Sequence, residues 1–318
     1  MTKVQYRTKK ITVMVSLIII LSIIVLLSNG CTKSETGKLT IGLMSDIGAV
    51  PFLIAKENGY FEDLGLDVEL QVFKSALDRD AGLQTGNLQG AMADMLTVFF
   101  FNEADVGMGM TSATYGNYIM VTSPEFTADE FMLETEKSIG MSSNTVIDFA
   151  TQLIAKDKGF GDQLQSTAIP QMPVRLEMLK NSELAGATLP DPLASVALLE
   201  GGEVVGDTKE LGLYPGIFIF SDETIKNNPE AIEQFYVAYN QAVDYLNQTD
   251  SSEYFQLLVD NLSFPGILTD NFSMPTFSKA TAADEHTFDV TLEWMKGQGL
   301  IENTYDYSDL SDASMLEK

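Results

Sequence analysis

The segment from residue 38 to residue 96 alternates between short apolar runs and helical patterns, and this order constrains the fold more than any other feature. Leu39, Ile41 and Leu43 alternate with other residues, which is typical of a half-buried strand. The predicted elements are a strand at 39–43, a helix at 51–59, a strand at 68–72, a helix at 75–86 and a strand at 90–94. Strands separated by helices of this length predict a parallel sheet with crossover connections.

The carboxyl ends of these three strands are candidate ligand contacts, because ligands of open α/β sheets bind beyond those ends. The ends fall at residues 44–46, 73–75 and 93–95, where most residues are small or polar. Two of them lead into a predicted helix start, whose free N–H groups bind polar ligand groups. The sequence therefore predicts a binding site along this edge of the sheet.

A second unit of similar order begins after Pro124. Its predicted elements are a strand at 138–141, a helix at 146–159, a strand at 167–170, a helix at 173–179 and a strand at 186–190. Gly186 and Ala187 open its last strand as Gly90 and Ala91 do in the first unit, so two α/β lobes of like build are predicted. The other predicted elements are strands at 106–110, 117–123 and 217–220 and helices at 97–104, 229–246 and 282–297.

The first thirty residues form a separate region that is typical of a secretory signal. Four basic residues precede an uncharged run from Ile11 to Leu27, which is shorter than the roughly 20 apolar residues of a membrane span. Cys31, the only cysteine, follows the small residues 28–30, and this pattern resembles a bacterial lipoprotein signal whose cysteine becomes the lipidated first residue. The alternative is an uncleaved anchor helix. Either interpretation places the rest of the chain outside the cytoplasm, and a single cysteine allows no internal disulfide.

The net charge of the chain argues against two classes of partner. The chain has 19 Lys and Arg against 45 Asp and Glu. Residues 1–30 hold four of the basic residues and none of the acidic ones, so the rest carries a formal charge of −30. This excess of negative charge argues against nucleic acid and against an anionic membrane surface as partners. A surface kept soluble by its charge explains the composition, and nothing in it predicts an oligomer.

Several stretches match one known family in order and spacing. PFLIAKENGYF, from Pro51 to Phe61, is a helix opened by proline that ends in Gly-Tyr-Phe, and LQTGNLQGA at residues 83–91 leads into the third strand. In the second unit, Pro190-Asp191-Pro192 stands where many members of that family have Pro-Glu-Pro. Over about residues 38–310 the chain resembles the ABC-importer substrate-binding family that serves aliphatic sulfonates, taurine, nitrate and thiamine precursors.

The resemblance implies an α/β, two-lobed periplasmic-binding-protein-like fold of the second topology class, with a cleft between the lobes and two hinge crossings. The implied organisation is a signal peptide at 1–30, a tether at 31–37, lobe one at 38–122 plus 217–318, lobe two at 123–216, and crossings near 122–124 and 215–217. A monomer would capture a small nutrient without a cofactor and deliver it to the membrane subunits of an ABC permease. A lipid on Cys31 would hold it at the outer face of the membrane.

The candidate ligand-binding residues lie at strand ends, at helix starts and in the polar turn after residue 110. They are Asp46, Pro51, Lys74, Ser75, Asp94, Ser112, Thr114, Tyr115, Ser142, Ser143, Asn144, Thr145, Arg175, Pro190 and Asp191. Helix capping explains Ser75, Asn144, Asp94 and Asp191 as well as ligand contact does. Tyr115 fits either stacking on a planar ligand or packing at the hinge.

The charged residues bear on the class of ligand. After residue 30 the chain has only two arginines, Arg79 and Arg175. A sulfonate or nitrate site favours clustered cations. Asp46, Asp94 and Asp191 favour a ligand with hydrogen-bond donors. The preferred prediction is therefore a nitrogenous heterocycle such as a thiamine pyrimidine precursor. The alternatives are an alkanesulfonate, taurine or nitrate-type anion, and a ligandless surface sensor or adhesin.

An enzyme is not predicted. A hydrolase needs a nucleophile and a base, but the chain has no Gly-x-Ser-x-Gly motif and its one histidine, His286, falls inside a late helix. The pyrimidine synthases related to thiamine-precursor binders carry a cysteine-rich motif and a ligand histidine, and this chain has neither. Clustered His or Cys residues that would hold a transition metal are absent as well, so no metal or cofactor is predicted. An all-carboxylate Ca²⁺ site stays an open alternative, although no EF-hand spacing occurs.

Overall fold

The computed structural model describes residues 36–316, and the chain from Thr36 onward forms a compact unit of its own. The predicted signal peptide and the predicted lipidation at Cys31 lie outside the described residues. Within residues 36–316, no helix combines the length and the apolar character that crossing a membrane requires.

The strands of the described part form two five-stranded sheets. Sheet one contains, in spatial order, β2 (Leu66–Phe73), β1 (Thr36–Met44), β3 (Gly90–Asp94), β10 (Gly216–Ser221) and β4 (Met108–Ala113). Sheet two contains β7 (Leu164–Ala168), β6 (Lys137–Met141), β8 (Gly186–Pro190), β5 (Tyr118–Thr122) and β9 (Val204–Asp207). Each sheet with the helices that pack on it is called lobe one or lobe two. The two sheets have equivalent strand orders, which confirms the prediction of two lobes of like build.

The helices connect and cover these strands. They are α1 (Val50–Glu57), α2 (Tyr60–Asp63), α3 (Ala76–Gln84), α4 (Met95–Glu103), α5 (Ala128–Leu133), α6 (Val146–Asp157), α7 (Met172–Lys180), α8 (Leu193–Leu199), α9 (Asp222–Asn227), α10 (Pro229–Leu246), α11 (Phe255–Leu262), α12 (Glu285–Gly297) and α13 (Tyr307–Leu310). Pro51 occupies the first turn of α1, where its missing N–H costs nothing. The Ser75 side chain accepts the N–H of Asp78 at the start of α3, which is the predicted cap.

The parallel arrangement predicted for the first three strands is confirmed. β1 lies between β2 and β3 and runs parallel to both. β10 then runs antiparallel to its neighbours β3 and β4, so the complete sheet is mixed. β10 is antiparallel because the chain enters it on its return from lobe two rather than through a crossover helix on the same sheet.

β5 belongs to lobe two, which corrects the predicted boundary at residue 122. Its five residues pair antiparallel with β8 over the whole of both strands, from Tyr118 opposite Pro190 to Thr122 opposite Gly186. β9 pairs with its other edge. Because these ladders satisfy the backbone of β5 within sheet two, the first crossing between the sheets is residues 114–117, not the neighbourhood of Pro124. The return crossing covers residues 208–215, and its end agrees with the crossing predicted near 215–217.

Other predicted boundaries also differ from the structure, and two strand ends show how. β4 continues to Ala113, although a polar turn is predicted from Thr111. The Thr111 hydroxyl contacts the Tyr236 hydroxyl at 2.5 Å, and the N–H of Ala113 donates to the carbonyl of Thr281 at 2.7 Å, so these polar groups are satisfied inside the fold. β7 ends at Ala168, earlier than the predicted strand at 167–170.

The core of lobe one is built on aromatic residues from α1, β10 and α10. The ring centroids of Phe52 and Phe218 lie 5.0 Å apart, and Phe235 lies 5.4 Å from the first and 5.1 Å from the second. The predicted buried stripe of α10 is confirmed, because its apolar residues from Ile232 to Leu246 face this core. This packing fixes α1 and α10 against β10.

Candidate ligand-binding site

A cavity of about 40 Å³ lies between the two lobes. Its wall comes from strand ends and helix starts of both sheets and from the first crossing. In this arrangement of the lobes the cavity therefore admits only a small ligand.

The cavity brings together part of the predicted set. The predicted residues that line it are Asp46, Asp94, Thr114, Tyr115, Ser142, Thr145, Arg175 and Pro190. The predicted residues outside its lining are Pro51, Lys74, Ser75, Ser112, Ser143, Asn144 and Asp191. The lining residues that the sequence did not mark are Met44, Ala76, Arg79, Met92, Ala93, Tyr118, Val146, Ile147, Pro170 and Met172.

The predicted residues outside the lining have local structural contacts. The Ser75 hydroxyl donates to Asp78 Oδ2 at 2.6 Å, in addition to capping α3. Asn144 has a positive φ of 56° and its N–H donates to Asp148 Oδ2 at 2.9 Å, so it forms the turn before α6. Ser112 is buried within β4, whereas Lys74 is exposed.

Hydrogen bonds cross from lobe one to lobe two beside the cavity. The N–H of Ile47 donates to the carbonyl of Asp191 at 3.0 Å, and the N–H of Met172 donates to the carbonyl of Lys74 at 3.3 Å. At the outer edge, Gln171 Nε2 donates to Asp78 Oδ2 at 3.0 Å. The structure is therefore a closed arrangement in which Asp191 and Lys74 contribute backbone contacts between the lobes.

Arg79 and Arg175 are both fully buried in the wall of the cavity. Arg79 Nη2 lies 2.7 Å from Asp80 Oδ1 and 3.8 Å from Asp94 Oδ2, and it donates to Thr97 Oγ1 at 2.8 Å. Arg175 instead donates to main-chain carbonyls: Nε and Nη2 to Ile169 at 3.1 and 2.8 Å, and Nη1 to Thr188 at 2.9 Å. Burial lowers the pKa of Arg175 to about 10, because no solvent surrounds its charge.

Acidic side chains occupy the lobe-one wall and the end of β8. Burial raises the pKa of Asp46 to about 7. The N–H of Gly48 opposes this rise, because it donates to the Asp46 carboxylate at 2.9 Å. Burial also raises the pKa of Asp94, although Arg79 opposes this rise and the Thr97 N–H donates to Asp94 Oδ1 at 3.1 Å. Burial raises the pKa of Asp191, whose Oδ1 accepts the Ser195 hydroxyl at 2.7 Å. Among the hydrogen bonds of the described residues, the Asp46 carboxylate accepts only the N–H of Gly48, and the charge of Arg79 also opposes the rise of its pKa.

The Thr114 hydroxyl adds a polar group without a partner. Its oxygen is buried in the cavity wall at the first crossing, and it makes no hydrogen bond within the described part of the chain. A buried hydroxyl loses free energy when it is unpaired, and this oxygen lies beside Gly216, 3.0 Å from where an added Cβ would stand.

The cavity lining contains no histidine or cysteine, the groups that a hydrolase triad or a transition-metal site would use. His286 is exposed on α12 and takes no part in the cavity lining. Among residues 36–316, no group of three or more His, Cys, Asp or Glu side chains is placed to hold a metal ion.

The arrangement of two sheets around a cleft defines a protein of the periplasmic-binding-protein fold. The model of the NMT1-like family matches residues 32–259, so the chain belongs to the NMT1-like family. A search of curated proteins finds no match to this sequence.

Solved structures of import components have the same fold. The ligand-binding component of an ABC-type import system from Staphylococcus aureus, solved with zinc bound, has a TM-score of 0.74 and 12% identity over 88% of this chain and 98% of that one. The alkanesulfonate-binding protein SsuA from Xanthomonas axonopodis pv. citri, bound to MOPS, has a TM-score of 0.73 and 14% identity over 88% and 99%. The periplasmic nitrate-binding protein NrtA from Synechocystis PCC 6803 has a TM-score of 0.69 and 13% identity over 88% and 87%. At these identities the comparison establishes the fold.

Proposed function

We propose that this protein is the extracytoplasmic substrate-binding component of an ABC importer. It captures a small molecule between its lobes and delivers it to the membrane subunits of a permease. The observation that carries the proposal is the cavity enclosed between two equivalent sheets and lined by polar side chains of both. Membership of the NMT1-like family and a fold shared with the binding component of an ABC-type import system support it.

Ligand binding would favour the closed arrangement. Asp46 and Asp94 reach the cavity from lobe one, whereas Ser142 and Arg175 reach it from lobe two. Only when the lobes meet can one small ligand contact both walls, so the ligand stabilises the closed state by its differential affinity. The crossings at residues 114–117 and 208–215 are the segments that would bend.

The protein would bind its ligand without transforming it. The cavity lining contains neither histidine nor cysteine, and the hydroxyl of Thr145 donates to the carbonyl of Ser142 at 2.7 Å. A hydroxyl nucleophile needs an adjacent general base, and among residues 36–316 no hydrogen bond joins a lining serine or threonine hydroxyl to a lining carboxylate.

A lipid on Cys31 would hold the protein at the outer face of the cell membrane. The match to the family begins at residue 32, directly after this cysteine. Cleavage before Cys31 would leave the family domain joined to the lipidated cysteine by a short tether. The anchored protein would act as a monomer and would lie within reach of a permease.

The wall has groups for two kinds of ligand chemistry. Asp46 is placed to accept a donor from a nitrogenous heterocycle such as an aminopyrimidine, and its raised pKa also lets its protonated form donate. Arg175 is placed to pair with an anionic group. Asp94 is less available, because Arg79 and the Thr97 N–H already contact it.

Distance measurements between spin labels would test ligand-driven closure. Leu77 in α3 and Val174 in α7 are 70% and 51% exposed on opposite lobes near the cleft, so cysteines there accept labels without disturbing the core. The chain after Cys31 has no cysteine, so residues 32–318 can be labelled at the two chosen positions alone. The mean distance between the labels should shorten when an extract of small molecules from the host is added.

A pair within one lobe is the matched control. Labels at Leu77 and Glu223, both exposed in lobe one, should keep their distance in the same extract. If neither pair changes with the host extract or with purified heterocycles and anions, the protein does not close on a ligand and the proposed function is wrong.

A further inference from the structure

A second pocket, of about 370 Å³, lies at the hinge. We call it the hinge pocket; its lining comes from the two crossings, the end of β4, Tyr239 of α10 and the segment 276–284. Pockets that hold small molecules usually have volumes of about 300–1,000 Å³. The hinge pocket reaches this range, whereas the cavity between the lobes measures about 40 Å³. Thr114 and Tyr115 of the first crossing line both, so this crossing separates the two spaces.

One wall of the hinge pocket is fixed to lobe one. The N–H of Ala280 donates to Asn240 Oδ1 in α10 at 2.8 Å. The carbonyl of Thr281 accepts the N–H of Ala113, at the end of β4, at 2.7 Å. Because a helix and a strand of lobe one both hold the segment 276–284, this wall moves with lobe one when the lobes move.

The opposite wall consists of the two crossings, which are the segments that bend. The first crossing touches the start of β10, where a Cβ added at Gly116 would lie 3.2 Å from Gly216 Cα. Toward lobe two, the Thr208 hydroxyl donates to Asn117 Oδ1 at 3.1 Å. The crossings are thus joined to each other at both ends, and they shift together relative to the fixed wall. The width of the hinge pocket therefore depends on the arrangement of the lobes.

Aromatic side chains line both walls. Tyr115 and Tyr214 belong to the crossings, and Tyr239 and Phe277 belong to lobe one. The rings of Tyr115 and Phe277 lie edge to face, with centroids 6.5 Å apart. Tyr214 is 49% exposed, so much of its ring is free to contact a ligand. Aromatic rings attract one another in offset-stacked or edge-to-face pairs, which favours a ligand that is itself a flat ring.

We infer that the hinge pocket is a second binding site, which takes a small planar aromatic molecule and favours the closed arrangement of the lobes. The pocket has the observed width in the closed arrangement. A molecule that contacts Tyr214 on the crossings and Phe277 on the fixed wall binds this arrangement better than one in which the crossings have shifted, and this difference in affinity drives closure. The inference goes beyond the proposed function, because this molecule regulates the hinge and is not the one delivered to the permease.

Titration with an uncharged planar probe would test the site. Residues 32–318 would be titrated with 2-naphthol and with decahydro-2-naphthol, its saturated counterpart, with calorimetry and thermal melting as readouts. We expect 2-naphthol to raise the melting temperature and to bind about threefold to tenfold more tightly than the saturated molecule, because only the flat ring can stack. It should also shorten the distance between spin labels at Leu77 and Val174 and leave the distance between labels at Leu77 and Glu223 unchanged.

Aromatic variants would locate the bound probe. Tyr214→Ala removes a ring that belongs to the lining of the hinge pocket and lies outside the lining of the cavity between the lobes, so 2-naphthol should bind about tenfold more weakly. Tyr60→Ala is the matched control, because Tyr60 is a half-buried residue of α2 outside both linings, and it should bind with wild-type affinity. Ala282→Phe adds a ring at an exposed lining position and should also weaken binding, so it decides the question if Tyr214→Ala fails to fold.

Four results would overturn the inference. They are a wild type that does not bind 2-naphthol, equal affinity for decahydro-2-naphthol, wild-type affinity in folded Tyr214→Ala or in Ala282→Phe, and an unchanged distance between labels at Leu77 and Val174 when the probe is bound. A probe bound in the cleft would give the third result. The proposed function is tested separately, by closure in host extract, and it stands if the extract closes the lobes while 2-naphthol does not.

Discussion

Replacing Arg79 by methionine should destabilise the protein more than the same replacement at Arg175. The Arg79 guanidinium contacts Asp94, which is itself buried, at 3.8 Å, and Asp80, which is partly exposed, at 2.7 Å. Without the guanidinium, Asp94 would be a buried carboxylate with no cation. Arg175→Met leaves neutral carbonyl acceptors instead.

The expected magnitudes follow from this difference. Removing one partner of a buried ion pair costs about 3–5 kcal/mol of unfolding free energy. Leaving a buried neutral acceptor without its hydrogen bond costs about 1–3 kcal/mol. Arg175→Met leaves two such acceptors, the carbonyls of Ile169 and Thr188, whereas Arg79→Met adds the carbonyl of Met92 to the lost ion pair. Burial already raises the pKa of Asp94 and Arg79 opposes that rise, so the pKa of Asp94 should rise further in Arg79→Met. The folded variant then binds a proton that the unfolded chain releases, and its deficit should grow as pH rises and shrink in acid.

Urea unfolding followed by circular dichroism at pH 5 and pH 8 would measure these free energies. The double variant Arg79→Met/Asp94→Asn removes both charges, keeps a capping acceptor for α4 and should recover about 2–3 kcal/mol relative to Arg79→Met. The reasoning is refuted if Arg79→Met loses less than about 1 kcal/mol, if its deficit does not depend on pH, or if the double variant is no more stable than the single one.

Other predictions concern single sites. Burial raises the pKa of Asp46 to about 7 from its ordinary value of 3.8, so wild-type stability should fall as pH rises through this window, by at most about 4 kcal/mol. Asp46→Asn should lack this fall, and unfolding free energies at pH 4, 6 and 8 would show it; identical pH profiles would contradict the burial of an ionisable group there. Gly140→Ala should lose about 1–3 kcal/mol, because its Cβ would lie 2.6 Å from Leu184 Cδ1, and an unchanged melting temperature would count against this packing. Asp284→Ala should lose about 1 kcal/mol, because the Asp284 carboxylate accepts the N–H of Thr287 at 2.7 Å and begins α12; urea titration against wild type measures it.

The alternation of strands and helices predicted most of the fold, because hydrophobic periodicity reports which faces are buried. It could not report which sheet a strand joins. Tyr118 to Thr122 has the pattern of a strand in either lobe, and only its pairing with β8 and β9 assigns it to lobe two. Thr111 and Ser112 look like a polar turn, yet both are buried in β4.

The site was predictable where it depends on strand ends. Asp46, Asp94 and Pro190 follow or end strands whose positions the sequence gives, and they line the cavity. The sequence did not mark Arg79 as a site residue, because Asp78 and Asp80 on either side of it indicate a helix surface that faces solvent. Its long side chain reaches from the middle of that face to the cleft, which no residue spacing indicates. The scarcity of arginine in the chain was the one available signal.

Native mass spectrometry of the protein purified from its host tests the central claim most directly. We expect residues 32–318 to carry a small bound molecule, and we expect collisional release to return it chemically unchanged. A wild-type protein without any bound molecule, whose labels at Leu77 and Val174 also stay at a constant distance in host extract, would contradict the account.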